Sequence, residues 1–136
     1  MSAAVFADTF YFLALLNTAE AAHELAVTAS CVTGRKFLTT EFVLVELADA
    51  LSRPQDRAEF FAVWEAIGRD GNFRVVSASS ALLQRGLALY QARMDKEWSL
   101  TDCISFVVMQ EENLREALTG GRHFEQAGFI ALLAER

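Results

Sequence analysis

The chain has 136 residues, a net charge of −6, 53% hydrophobic and 22% charged residues. That length suits one domain over residues 1–136 with its own core, and the composition is that of a globular chain rather than a disordered one. The acidic balance argues against a protein that coats nucleic acid non-specifically, but not against a site where acids gather around a cation.

Val5 and Phe6 lead into Asp8 as a short first strand. Phe10 to Leu16 opens a helix, and this apolar stretch is larger than one core face needs; core packing alone is the first reading, and a surface for a dimer or a partner the second. With Asp8 in its middle and no basic start, Met1 to Leu16 does not read as a signal peptide. No apolar run approaches the roughly 20 residues of a membrane span, and a cytoplasmic protein without a membrane partner is expected. Ala19 to Val32 reads as a helix with Ala22, Leu25, Ala29 and Val32 at helical spacing, stopped by Gly34. Lys36 to Thr40 is a second strand, followed by apolar helices over Glu41 to Leu51 and Asp56 to Arg69, the latter with Phe60, Trp64 and Ile67 on one face. Phe73 to Val76 is a third strand, and Ser79 or Ser80 caps the helix carrying Leu83, Leu87 and Tyr90. Ser99 starts a helix through Gln110, and Glu116–Thr119 and Phe129–Leu133 read as the last two strands. Cys31 and Cys103 lack zinc-site spacing and are expected to be buried free thiols.

Strands alternating with helices imply a parallel sheet with helices on both faces. In such folds a ligand site forms at the carboxyl edge of the sheet, where strand order reverses. Asp8 follows the first strand, Glu46 lies early in the helix after the second, and Asp102 lies in the first turn of the helix opened by Ser99. Three clustered carboxylates repel one another unless a cation sits among them, and hard oxygen ligands favour Mg²⁺ or Mn²⁺ over zinc. Each acid also has a purely structural reading. Asp8 can cap the helix that follows it, and Glu46 can belong to a solvated stripe with an Asp49–Arg53 pair. Ser99-Leu100-Thr101-Asp102 has capping-box spacing, with Asp where Glu is usual.

These residues resemble a known family. Val5-Phe6-Ala7-Asp8-Thr9 is similar to the first motif of PIN domains, a strand ending in Asp before Thr or Ser. Val43-Leu44-Val45-Glu46-Leu47-Ala48 resembles the second, and Trp98-Ser99-Leu100-Thr101-Asp102-Cys103-Ile104-Ser105-Phe106 the third. Thr119-Gly120-Gly121-Arg122-His123-Phe124, then Gln126-Ala127-Gly128-Phe129, resembles the closing segment of VapC-like members. The match covers nearly the whole chain, in order. It implies a three-layer, flavodoxin-like α/β fold with a central parallel sheet of about five strands. It implies Mg²⁺ or Mn²⁺ held by Asp8, Glu46 and Asp102 as the catalytic set. It also implies hydrolysis of RNA phosphodiesters to 5′-phosphate and 3′-hydroxyl ends, by a homodimeric toxin held off by a small VapB-like antitoxin.

One position departs from that pattern: the closing segment usually carries an Asp where this chain has Gly121. A side-chain ligand is therefore missing, a second metal is less expected, and a PIN module that binds RNA or a protein without cutting it is the alternative. Asp95 lies in the loop before Trp98 but does not occupy the missing position. Thr9, Arg93, Lys96 and Arg122 are candidate substrate-binding residues near the motifs, His123 reads as a packing partner of Phe124, and His23 as exposed. Other doubly wound classes fit less well. A haloacid-dehalogenase-like phosphatase needs an Asp where Phe10 stands, and a phosphotransfer receiver needs one where Ser77 to Ser80 stand.

Overall fold

A computed structural model describes residues 4–135. Its strands are β1 (Val5–Ala7), β2 (Phe37–Thr40), β3 (Phe73–Val76), β4 (Glu116–Leu118) and β5 (Ile130–Ala131). Its helices are α1 (Thr9–Leu16), α2 (His23–Ser30), α3 (Glu41–Ala50), α4 (Arg57–Arg69), α5 (Ser80–Ala92), α6 (Leu100–Glu111) and α7 (Arg122–Gln126). The strands form one parallel sheet in the order β3-β2-β1-β4-β5, with helices on both faces. The chain lays β2 and β3 on one side of β1, then returns to lay β4 and β5 on the other. Strand order therefore reverses between β1 and β4, and the crevice outside their carboxyl ends is the natural ligand position of the fold.

Every residue of β1 and β2 is buried, as expected for strands covered on both faces. Helix starts are set by side chains that take orphan backbone N–H groups: Thr40 accepts from Val43, Ser79 from Leu82 and Ser99 from Asp102. α5 and α6 pack so closely at Gly86 that a Cβ there would run into the Ile104 side chain. Phe106 stands edge-on to both Trp98 and Phe124, at centroid distances of 5.0 and 4.9 Å, and ties α6 to α7.

Several local expectations are corrected. The helix expected from Ala19 begins only at His23, because Asn17 Oδ1 accepts the Ala19 N–H and turns the chain first. α2 buries Ala22, at its start, and Ala26, leaving Leu25 and Val32 exposed. On α4 only Ile67 is buried, while Phe61 and Trp64 face outward. On α5 the buried positions are Leu82 and Gly86 rather than a Leu83–Leu87–Tyr90 stripe. β5 is two residues long, and α7 lies where no helix was expected. Cys31 is exposed, whereas Cys103 is buried. His23 is half-buried, its Nδ1 2.8 Å from the Ala14 carbonyl. Among the described residues no helix is long and apolar enough to cross a membrane.

Candidate active site

Asp8 sits one residue beyond β1, and Thr119 one residue beyond β4. The Thr119 hydroxyl donates to Asp8 Oδ2 at 2.9 Å and so bridges the crevice at the strand-order reversal. The same Thr119 oxygen accepts the Gly121 N–H at 3.1 Å, which fixes the direction of the hydroxyl. Asp8 occupies the N-cap position of α1, but its side chain makes no capping bond. Its carboxylate is thus aimed at the crevice rather than at the helix.

Glu46 comes in from the second turn of α3. The Thr9 hydroxyl donates to Glu46 Oε1 at 2.5 Å, so the residue after Asp8 orients the second acid. The solvated-stripe reading of Glu46 is not met: Arg53 pairs with Asp56 rather than with Asp49. Asp102 reaches in from the start of α6. Its Oδ2 accepts the Ser99 N–H at 3.1 Å while Ser99 Oγ accepts the Asp102 N–H, a complete capping box. The same Oδ2 lies 2.9 Å from His123 Nδ1. Asp102 Oδ1 and Glu46 Oε2 carry no hydrogen bond among the described residues.

The electrostatics link the three acids. Asp8 is pushed up from its ordinary 3.8 to about 6, mainly by burial, with the negative charges of Asp102 and Glu46 adding to it. The Thr119 hydroxyl and the Thr9 N–H work in the opposite direction. Burial thus opposes charge on an acid that two other acids already surround. Among the described residues, no three His, Cys, Asp or Glu side chains are close enough to form a ready-made metal cage. By donor type the set fits a hard divalent cation, because all three groups are oxygen donors and a cation supplies the counter-charge that Asp8 lacks.

The family model that matches this chain is the PIN domain, over residues 5–130. The chain belongs to the PIN-domain family. The crystal structure of the Mycobacterium tuberculosis toxin VapC20, which cleaves the sarcin–ricin loop, matches this PIN domain with a TM-score of 0.83. The two are 25% identical, over 93% of this chain and 97% of that one. No curated protein sequence matches the chain.

The other candidate residues divide by what holds them. Arg93 is held along one edge: Nε and Nη2 bond the two oxygens of Asp95 at 2.9 and 3.0 Å, and the guanidinium lies 5.0 Å from the centroid of the Trp98 ring. Lys96 and Arg122 have no side-chain hydrogen bond or ion pair among the described residues. Thr9 gives its hydroxyl to Glu46. Sequence reading missed that Thr119 holds Asp8 and that His123 holds Asp102. Both residues lie in the quoted closing segment, but separations of 111 and 21 residues hide the pairs from any local pattern.

Proposed function

We propose that this PIN domain is a divalent-metal-dependent endoribonuclease, the toxin of a VapBC-type pair. On this reading it acts in the cytoplasm as a homodimer restrained by a small antitoxin. What supports the reading is that Asp8, beside the strand-order reversal, feels the charges of Asp102 and Glu46, which come from two other elements. Similarity to a toxin that cleaves the sarcin–ricin loop supports RNA as the substrate class.

Asp8, Glu46 and Asp102 are the residues that would hold Mg²⁺ or Mn²⁺. When bound, the cation supplies Lewis-acid chemistry: a more acidic water and neutralisation of charge on the phosphate. The chain's own residues prepare that site. Thr119 and Thr9 fix the Asp8 and Glu46 carboxylates, and Ser99 with His123 fixes Asp102, so little ordering remains to be done when substrate arrives. A cation must compete with the proton on Asp8, so the affinity of the metal-free site for the cation is expected to rise with pH through about 6. Arg122, next to His123 at the start of α7, and Lys96, in the loop before Ser99, are free to meet RNA phosphates.

A second reading, an RNA-binding or partner-binding module that does not cut, is favoured by Gly121 standing where VapC-like members usually have an Asp. The deciding experiment is digestion of a panel of structured RNAs in Mg²⁺ and in Mn²⁺, with a chelator control and the Asp8→Asn variant. Loss of a group that merely orients a metal ligand costs about 10–100-fold, so loss of Asp8 itself is expected to cost at least about 100-fold. Absence of cutting by folded wild-type protein in both metals would sink the nuclease reading in favour of the module.

A further inference from the structure

At the start of α6 lies a cavity of about 440 Å³, lined by Tyr90, Arg93, Lys96, Glu97, Trp98 and Ser99 among others. Ser99, the residue that caps the helix carrying Asp102, belongs to its wall, so the cavity adjoins the start of that helix. Its volume falls within the roughly 300–1,000 Å³ typical of small-molecule sites.

The construction of its wall is specific. Trp98 is buried, with 6% exposure, and is fixed twice: its Nε1 donates to Gln126 Oε1 at 3.0 Å, and its ring stands against Phe106. On that ring rests the Arg93 guanidinium, and Asp95 grips its Nε and Nη2 edge in a two-point ion pair. The side chain nevertheless remains 40% exposed. Arg93 is therefore held in place, its charge is largely met by Asp95, and one face of the plane is left open. Such a group is a poor phosphate clamp. It is well suited to stacking, since unstacked RNA bases settle on aromatic rings and on arginine planes. Tyr90, one helical turn earlier, brings an exposed ring to the same cavity, and Lys96 brings a cation with no partner among the described residues.

We propose that this cavity is a base-binding subsite, in which an unstacked RNA nucleobase lies on the Arg93 plane held by Trp98 and Asp95, with Lys96 on the adjoining phosphate. The proposal rests on the reading of the chain as an RNA-acting protein and deepens it. The substrate is then a strand or loop with an extruded base near the cut, not a continuous duplex. Arg93 is a specificity residue through its shape rather than its charge.

The test uses a single-stranded oligoribonucleotide carrying 2-aminopurine, whose fluorescence falls when the base stacks, with the same sequence annealed into a duplex as control. Wild-type protein in chelator, which prevents metal-dependent cutting, is expected to bind the single strand and quench the probe, and to bind the duplex at least 10-fold more weakly. Arg93→Lys keeps the charge but loses the plane, and is expected to lose most of the quenching and about 10-fold in affinity, or roughly 1.4 kcal/mol. Tyr90→Ala, at an exposed position, is expected to weaken quenching without affecting the fold. Lys96→Gln should leave quenching intact while lowering the salt slope of binding by about 0.7, the value of one single-strand phosphate contact. Unchanged quenching and affinity in Arg93→Lys, equal binding of duplex and single strand, or no binding at all would overturn the proposal. Quenching without any metal-dependent cleavage would leave the subsite standing and defeat only the nuclease reading.

Discussion

Asp8 and Asp95 start from the same ordinary pKa of 3.8 and are driven apart, Asp8 up to about 6 and Asp95 down to about 2. Burial beside Asp102 and Glu46 raises the first, and the Arg93 guanidinium lowers the second. The two regions thus treat charge in opposite ways. At the crevice between β1 and β4, hydroxyls orient Asp8 and Glu46, the Ser99 N–H and His123 hold Asp102, and no Lys or Arg pairs with the three acids among the described residues, which leaves room for an external cation. In the loop between α5 and α6 the ion pair is complete and leans on a buried ring, which makes it rigid.

Substitutions on either side sharpen the contrast. Trp98→Ala removes the anchor of the loop and is expected to destabilise the fold by about 3–5 kcal/mol, the usual cost of deleting a buried aromatic side chain. Asp8→Asn is expected to do the reverse in metal-free protein. The folded pKa of Asp8 is raised, so the native state holds that proton more tightly than the unfolded chain does. This contribution is full below about pH 4 and is lost as pH rises through about 6. Removing the charge at pH 7 should therefore stabilise the metal-free protein by ~1–3 kcal/mol while abolishing activity. Denaturant melts of the two variants at pH 5 and pH 7 check both signs. A destabilised Asp8→Asn protein at pH 7 would break the comparison.

Smaller effects follow at the ligand shell. Thr119→Val keeps the shape but removes the hydroxyl that donates to Asp8. The Asp8 carboxyl should then titrate higher still in the metal-free protein, and the loss is expected to cost about 10–100-fold in metal affinity or activity, as for other groups that orient ligands. Gly121→Asp is expected to have the mildest effect on the fold. Its backbone is ordinary, at φ −80°, and an added Cβ would meet only Thr119 Oγ1 at 3.5 Å. A fourth acid therefore fits sterically, and Mn²⁺ should raise the melting temperature of this variant more than that of the wild type. An equal shift would show that position 121 lies outside the reach of the metal.

The sheet was legible in the sequence because short apolar runs ending in Asp8, Thr40 and Val76 have few other uses. The three acids were legible because each follows or opens an element with a clear boundary. The helix faces were not. Periodicity put Leu25 inside α2, yet small Ala22 and Ala26 allow the closer approach and are the residues buried. α7 spans five residues, too short for any period to register. The Arg93–Trp98–Asp95 arrangement reads in sequence as a loop of mixed charge, because what makes it a platform is the burial of Trp98 against Phe106 and Gln126, partners far along the chain.

On the proposed reading, water made acidic at the three carboxylates, not an RNA 2′-hydroxyl, attacks the phosphodiester. Analysis of the ends left on a cleaved structured RNA tests this most directly. The account predicts 5′-phosphate and 3′-hydroxyl ends that disappear with chelator and in Asp8→Asn. Ends bearing a 2′,3′-cyclic phosphate, still formed in chelator, would contradict it.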